Sequence, residues 1–127
     1  MAGPRSRAAR LSQALTGGYG VQYWGESYDA EALSRQPHGL LIIETTHIGA
    51  THSASGREER FSAAEIAQIN RSGARPVLGY LNVGEIETYR DYWLDRTSEA
   101  PAWDGPSLSG GDHLSAFWTP EWHRVML

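Results

Sequence analysis

The chain has 127 residues, 40% of them hydrophobic and 20% charged, with a net charge of −4. These values suit one modest globular core and exclude wholesale disorder, and the acidic balance argues against a nucleic-acid partner, which needs a basic face. Cysteine is absent, which excludes disulfides and thiolate metal sites, and no stretch approaches the ~18–20 apolar residues of a membrane span.

Residues 1–18 carry Arg5, Arg7 and Arg10 and no acid, while Ser12 and Gln13 interrupt Leu11, Ala14 and Leu15. A secretory signal needs an apolar core of ~7–15 residues, so this segment reads as a frayed, flexible basic tail. Gly20 to Trp24 then reads as a short strand, after the Gly17-Gly18 breaker. Tyr28 to Gln36 suits a short helix stopped by Pro37. Leu40 to Glu44, LLIIE, is a continuous apolar run that ends in a carboxylate. A long polar segment follows from Thr45 to Arg60.

Ser62 and Glu65 have the spacing of a capping box. The helix they open should bury Ile66 and Ile69 and end near Gly73, a favourable residue just past a helix end. Pro76 opens a third strand in which Val77, Leu78, Tyr80, Leu81 and Val83 suggest cover on both faces. Gly84 ends that run, and Glu85, Glu87, Arg90, Asp91, Tyr92 and Trp93 follow at once. Residues 94–117, with Pro101, Gly105, Pro106, Gly110 and Gly111, read as irregular. Thr119-Pro120-Glu121 has the form of a helix start, with Trp122, Val125 and Met126 as its buried face. Strands alternating with helices imply right-handed crossovers and a parallel sheet, hence an α/β fold.

Ligands of parallel α/β folds sit at the carboxyl ends of the strands. Glu44 and Glu85 both fall there on this reading and are the candidate catalytic residues. Neighbouring strands are ~4.8 Å apart, which would put the two carboxylates within the roughly 5–9.5 Å range of paired glycosidase acids. Glu87 and Arg90, three apart, suit an ion pair that orients a loop. Tyr80, Tyr89, Tyr92, Trp93, Trp103, Trp118 and Trp122 give the second half an aromatic excess. Sugar faces stack on such rings, although core packing is the commoner fate of any one of them. His47 and His52 lie five apart in the polar segment without a third ligand in view, so a solvated loop is the better reading and no metal is expected. G-x-S-x-G, G-x-x-x-x-G-K-[ST] and G-x-G-x-x-G are all absent, and no motif calls for a cofactor.

The run GYLNVGEIETYRDYW, followed by APAW and FWTPEW, resembles the glycoside hydrolase family 114 superfamily. The resemblance is to its branch of bacterial and archaeal extracellular glycosidases, with the signature G-Y-x-x-x-G-E-x-E-x-Y-R-x-Y-W. It uses Gly79, Tyr80, Gly84, Glu85, Glu87, Tyr89, Arg90, Tyr92 and Trp93, then Trp118, Pro120, Glu121 and Trp122. YGVQYWG and GLLIIE fit the first two strands more loosely, so it spans roughly residues 19–127.

The resemblance implies a TIM barrel whose relatives act on α-1,4-linked polygalactosamine. It departs from the family in having Glu44 where Asp is frequent. A barrel needs ~250 residues, so the expectation is an amino-terminal half of three to four β/α units, lacking the catalytic acids of later strands. Glu44, Tyr80, Glu85, Glu87, Arg90, Trp93 and Trp118 then become substrate-binding residues. The expected partners are a polysaccharide or oligosaccharide and, for the open sheet edge, a second polypeptide or a second copy. The rival expectation is a non-catalytic carbohydrate-binding or interaction module of α/β type.

Overall fold

The computed structural model describes residues 6–23, 28–47 and 57–127, so Trp24 and His52 lie outside the described residues. The chain divides into two compact units, Met1–Tyr80 and Leu81–Leu127.

The first unit contains α1 (Arg7–Leu15), β1 (Tyr19–Gln22), α2 (Ala30–Arg35), β2 (Leu40–Ile43), α3 (Ala63–Ile69) and β3 (Val77–Gly79). Its three strands are all parallel, in the order β1-β2-β3. A helix precedes each of β2 and β3, as the alternation of patterns anticipates. Asp29 caps α2 by accepting from the Ala32 N–H at 2.7 Å. The capping box of α3 is complete, with Ser62 Oγ accepting from Glu65 N at 3.2 Å and Glu65 Oε2 accepting from Ser62 N at 2.7 Å.

Leu41 and Ile43 point from β2 into a core with Tyr28, Ala30, Leu33, Phe61 and Ile69, and Ile66 and Val77 pack against it. Two arginines close the helix ends. Arg75, 3% exposed, donates to the carbonyls of Leu33, Gln36, His38 and Ile69 at 2.9, 2.5, 3.2 and 2.6 Å. Arg71 donates to those of Ser34 and Gln36. These carbonyls fall in and just past the last turns of α2 and α3, where helix geometry leaves acceptors without partners.

Three expectations need correction here. Residues 7–15, read as part of a frayed tail, form α1, whose amino end is capped by Ser6 accepting from Ala9 N. Gly39 lets this helix approach the sheet, since a Cβ there would lie 2.1 Å from the Ala14 carbonyl oxygen. Helix α3 stops at Ile69, before Gly73, and Arg71 and Ser72 take positive φ values of 52° and 53°. The third strand runs only from Val77 to Gly79, and Leu78, Leu81 and Val83 are 42%, 57% and 46% exposed rather than covered on both faces. Among the described residues β3 pairs only with β2.

The second unit contains β4 (Glu85–Ile86), α4 (Asp91–Leu94), β5 (Asp104–Ser107), β6 (His113–Ser115) and α5 (Pro120–Met126). Its sheet is antiparallel in the order β4-β6-β5. Residues 94–117 are therefore not simply irregular, because they hold a hairpin. Gly110 and Gly111, with φ of 102° and 97°, supply its turn in a conformation that side chains disfavour. The core is aromatic: Ile86, Trp103 and Trp122 are buried, with Tyr92, Trp93, Val125 and Met126 against them. Tyr92 meets Trp122 edge-on at 5.4 Å between ring centroids. Thr119 caps α5, accepting from Trp122 N at 3.3 Å, with Pro120 at the first helical position.

Candidate functional site

At the carboxyl end of the parallel sheet, Tyr23, Glu44 and Tyr80 each stand one residue past the last pairing positions Gln22, Ile43 and Gly79. They are therefore level with one another. Strands β1 and β3 flank β2, which separates them by roughly 9–10 Å. The rings of Tyr23 and Tyr80 nevertheless lie 4.2 Å apart, which requires them to lean toward each other across the end of β2. Glu44 at that end is only 2% exposed. Its Oε1 accepts from the Thr45 N–H at 2.8 Å and from Thr45 Oγ1 at 3.3 Å, and its main-chain carbonyl accepts from the Tyr28 hydroxyl.

Burial pushes the Tyr28 phenol well above its ordinary range, and the Glu44 charge pushes it further the same way. Tyr28 therefore stays a neutral donor. The arrangement offers a buried carboxylate and an aromatic pair, of which Tyr23 is 38% exposed. The tyrosine pair can stack on a flat apolar face, while the buried Glu44 carboxylate bonds its own loop at Thr45.

Glu85 is not at the end of the third strand. That strand stops at Gly79, and Glu85 opens the two-residue β4 of the second unit, opposite Leu114. The physical reason lies in Asn82, whose Oδ1 accepts from Glu85 N and whose Nδ2 donates to Glu85 Oε2, both at 3.1 Å. This local side-chain bonding offers the backbone an alternative to the ladder. Gly84 has neither a positive φ nor a close neighbour, so no tight turn depends on it. Glu44 and Glu85 thus belong to different units and to different sheets.

Glu87 and Arg90 do pair. Arg90 Nε and NH2 both lie 2.8 Å from Glu87 Oε2, Tyr89 donates to Glu87 Oε1 at 2.7 Å, and Glu87 N donates to the Tyr92 hydroxyl at 2.9 Å. With side chains only 11% and 15% exposed, the pair clamps the turn between β4 and α4. Trp93 packs edge-on to Trp103 and to the ring of His113, and the Arg96 guanidinium lies 4.0 Å from its ring centre. Trp118 is 69% exposed beside Phe117, the most open aromatic of the second unit. Val83 is held by the Ser115 hydroxyl and the Trp122 indole N–H, which donate to its carbonyl at 2.6 and 2.9 Å.

His47 lies 3.2 Å from Glu65 and packs on Phe61, a structural placement. Among the described residues no cluster of three metal-ligating side chains exists, and no helix is long and apolar enough to cross a membrane. A cleft of about 840 Å³ opens in the first unit, lined by Arg7, Arg10, Ile43, Thr45, Asn70 and Val77 among others and bordering the segment that holds Glu44. It contains neither Glu44 nor Tyr80 and no acid, so it lacks the groups for carboxylate chemistry. Sequence reasoning missed the buried Arg75 and the Asp104–His113 contact of 2.5 Å. Neither residue sits in a motif that would have signalled it.

No family model matches the chain. Two uncharacterized proteins are similar to it. One, from Methanocaldococcus jannaschii, is 26% identical over 108 residues, which are 82% of this chain and 29% of that protein. The other, from Deinococcus radiodurans, is 26% identical over 117 residues, 84% of this chain and 34% of that protein. The chain thus spans about a third of the length of the curated relatives it matches.

Proposed function

We propose that the chain is the amino-terminal part of a glycoside-hydrolase-like β/α barrel, contributing the first β/α units and part of a polysaccharide-binding pocket. The observation that carries this reading is Glu44. It is a buried carboxylate at the carboxyl end of the central strand in a consecutive parallel sheet, level with two tyrosine rings. The in-order parallel sheet with helical crossovers is how a β/α barrel begins. The edge of β3 is where the next strand, or a second chain, would pair. The signature from Gly79 to Trp93 supports the same reading.

In this reading Tyr23 and Tyr80 stack against a sugar ring, and Glu44 holds the loop that shapes the pocket floor. Glu85, exposed on β4, and Trp118 with its open ring are the residues of the second unit able to meet a glycan. Glu87 and Arg90 act by fixing their turn. The substrate class favoured is an amino-sugar polymer such as α-1,4-linked polygalactosamine, with the acids of the full reaction supplied from beyond these units.

Titration with galactosamine oligomers, followed by tyrosine and tryptophan fluorescence and by calorimetry, tests this. Saturable binding weakened by Tyr80→Ala, with no release of reducing ends, is the expected result. Failure to bind any amino-sugar polymer by a folded chain overturns the binding claim. Reducing-end release abolished by Glu44→Gln or Glu85→Gln would instead make those carboxylates catalytic.

A further inference from the structure

The β5–β6 hairpin places three chemically complementary side chains in a row. His113 Nδ1 lies 2.5 Å from Asp104 Oδ1, and its Nε2 lies 3.5 Å from Ser107 Oγ. In a regular strand, residues three apart point to opposite faces. Asp104 and Ser107 face the same imidazole because the register slips between them: Asp104 pairs with Ser115, and Ser107 with His113. Three steps along β5 therefore match two along β6, which is a bulge at Gly105-Pro106. Bulges re-aim side chains in this way, and a proline, lacking an N–H, fits where the ladder is broken.

The chemistry follows from the order of the atoms. A carboxylate only accepts, so the Asp104 contact keeps the imidazole proton on Nδ1 and leaves the Nε2 lone pair toward Ser107. The His113 and Asp104 side chains are 19% and 17% exposed, whereas Ser107 is exposed and open to a substrate. The Trp93 ring packs edge-on to the imidazole at 4.8 Å and restricts its rotation. The turn is fixed in turn by Asp112, whose carbonyl accepts from Leu108 N at 2.6 Å and whose Oδ1 accepts from Thr88 N at 3.0 Å. A Ser–His–Asp relay is recognised by geometry and roles rather than by sequence motif, so the absence of G-x-S-x-G does not exclude it. At 3.5 Å the Ser107 Oγ–His113 Nε2 contact is at the outer limit of a hydrogen bond.

We propose that Ser107 and His113, positioned by Asp104, form a nucleophilic acyl-transfer centre for carboxylic esters, independent of the glycosidase reading. Ser107 Oγ bonds to the ester carbonyl carbon while its proton passes to His113 Nε2. The alcohol then leaves with that proton as the carbon–oxygen bond breaks, and an acyl-serine remains. Water attacks the acyl-serine, His113 takes its proton and returns it to Ser107, and the carboxylic acid departs.

A fluorophosphonate probe tests this directly on the intact chain, because Ser107 Oγ would displace fluoride from phosphorus with the same proton transfer. Intact mass and peptide mapping should show one adduct at Ser107, absent in Ser107→Ala. His113→Gln should slow labelling at least 100-fold. Asp104→Asn should lower the limiting labelling rate at least tenfold without changing the half-saturating probe concentration or the melting temperature. Absence of an adduct on folded protein overturns the proposal. So does labelling at a rate unchanged by Asp104→Asn, which keeps the assignment falsifiable should His113→Gln fail to fold.

Discussion

The Tyr28 hydroxyl donates its hydrogen bond to the main-chain carbonyl of Glu44, tying the segment before α2 to the carboxyl end of β2. Both residues are buried, at 1% and 2% exposure. The same bond that anchors the helix layer thus holds the candidate pocket floor.

Tyr28→Phe should cost about 1–2 kcal/mol at neutral pH, because a buried carbonyl loses this donor. The pH dependence has a definite sign. Burial, reinforced by the Glu44 charge, raises the folded phenol above its ordinary value. The folded chain therefore keeps a proton that the unfolded chain loses above a pH of about 10. That stabilisation is complete below the unfolded value and is lost as pH rises toward the folded one. Denaturant midpoints measured from pH 8 to 11 should fall on the alkaline side, and fall less in Tyr28→Phe.

Arg75→Met should be the most damaging single change in the first unit. It removes the donors that serve the Leu33, Gln36, His38 and Ile69 carbonyls. The expected loss is about 3 kcal/mol, as for a broken buried charged network. Arg75→Lys keeps the charge but cannot fork to both helix ends, so it should recover only part of that loss. Urea unfolding of the three proteins at equal slope measures the ranking; an Arg75→Met variant as stable as the parent would refute the role.

Glu85 and Glu87, two residues apart, should respond in opposite ways. Glu85 is exposed, so Glu85→Gln should change stability by less than about 0.5 kcal/mol. Glu87→Ala removes the carboxylate oxygen that Arg90 Nε and NH2 share at 2.8 Å, in a pair only 11% and 15% exposed, and should cost about 2–3 kcal/mol. Thermal melting separates the two readily. Equal destabilisation would mean that Glu85 holds the turn as Glu87 does.

Local structure was legible where one short segment carries the whole signal. The Ser62–Glu65 box and the Thr119-Pro120-Glu121 start appear as read, and the helix read over Tyr28 to Gln36 forms over Ala30–Arg35, because their hydrogen bonds close within four residues. The LLIIE run, too, forms a strand as read, over Leu40–Ile43. The third strand was read too long. Apolar composition says that a segment wants cover, but not which neighbour supplies it, and Asn82 bonds locally instead of extending the ladder.

By itself the sequence determined the strand–helix alternation of the first unit, the Ser62 and Thr119 caps and the Glu87–Arg90 pair, since each depends on periodicity or on spacing along the chain. Only the tertiary structure decided the rest. It put Tyr23 and Tyr80 ring to ring across the end of β2 and assigned Glu44 and Glu85 to different sheets. It sent Arg75 to the end of α2 about forty residues away, and it set Asp104 and Ser107 on one face through a register slip. Apart from Glu85, which local bonding by Asn82 holds off the third strand, the physical reason is common. Strand pairing and bulges bring distant residues together through backbone hydrogen bonds, which any side chain permits and no local pattern of side chains encodes.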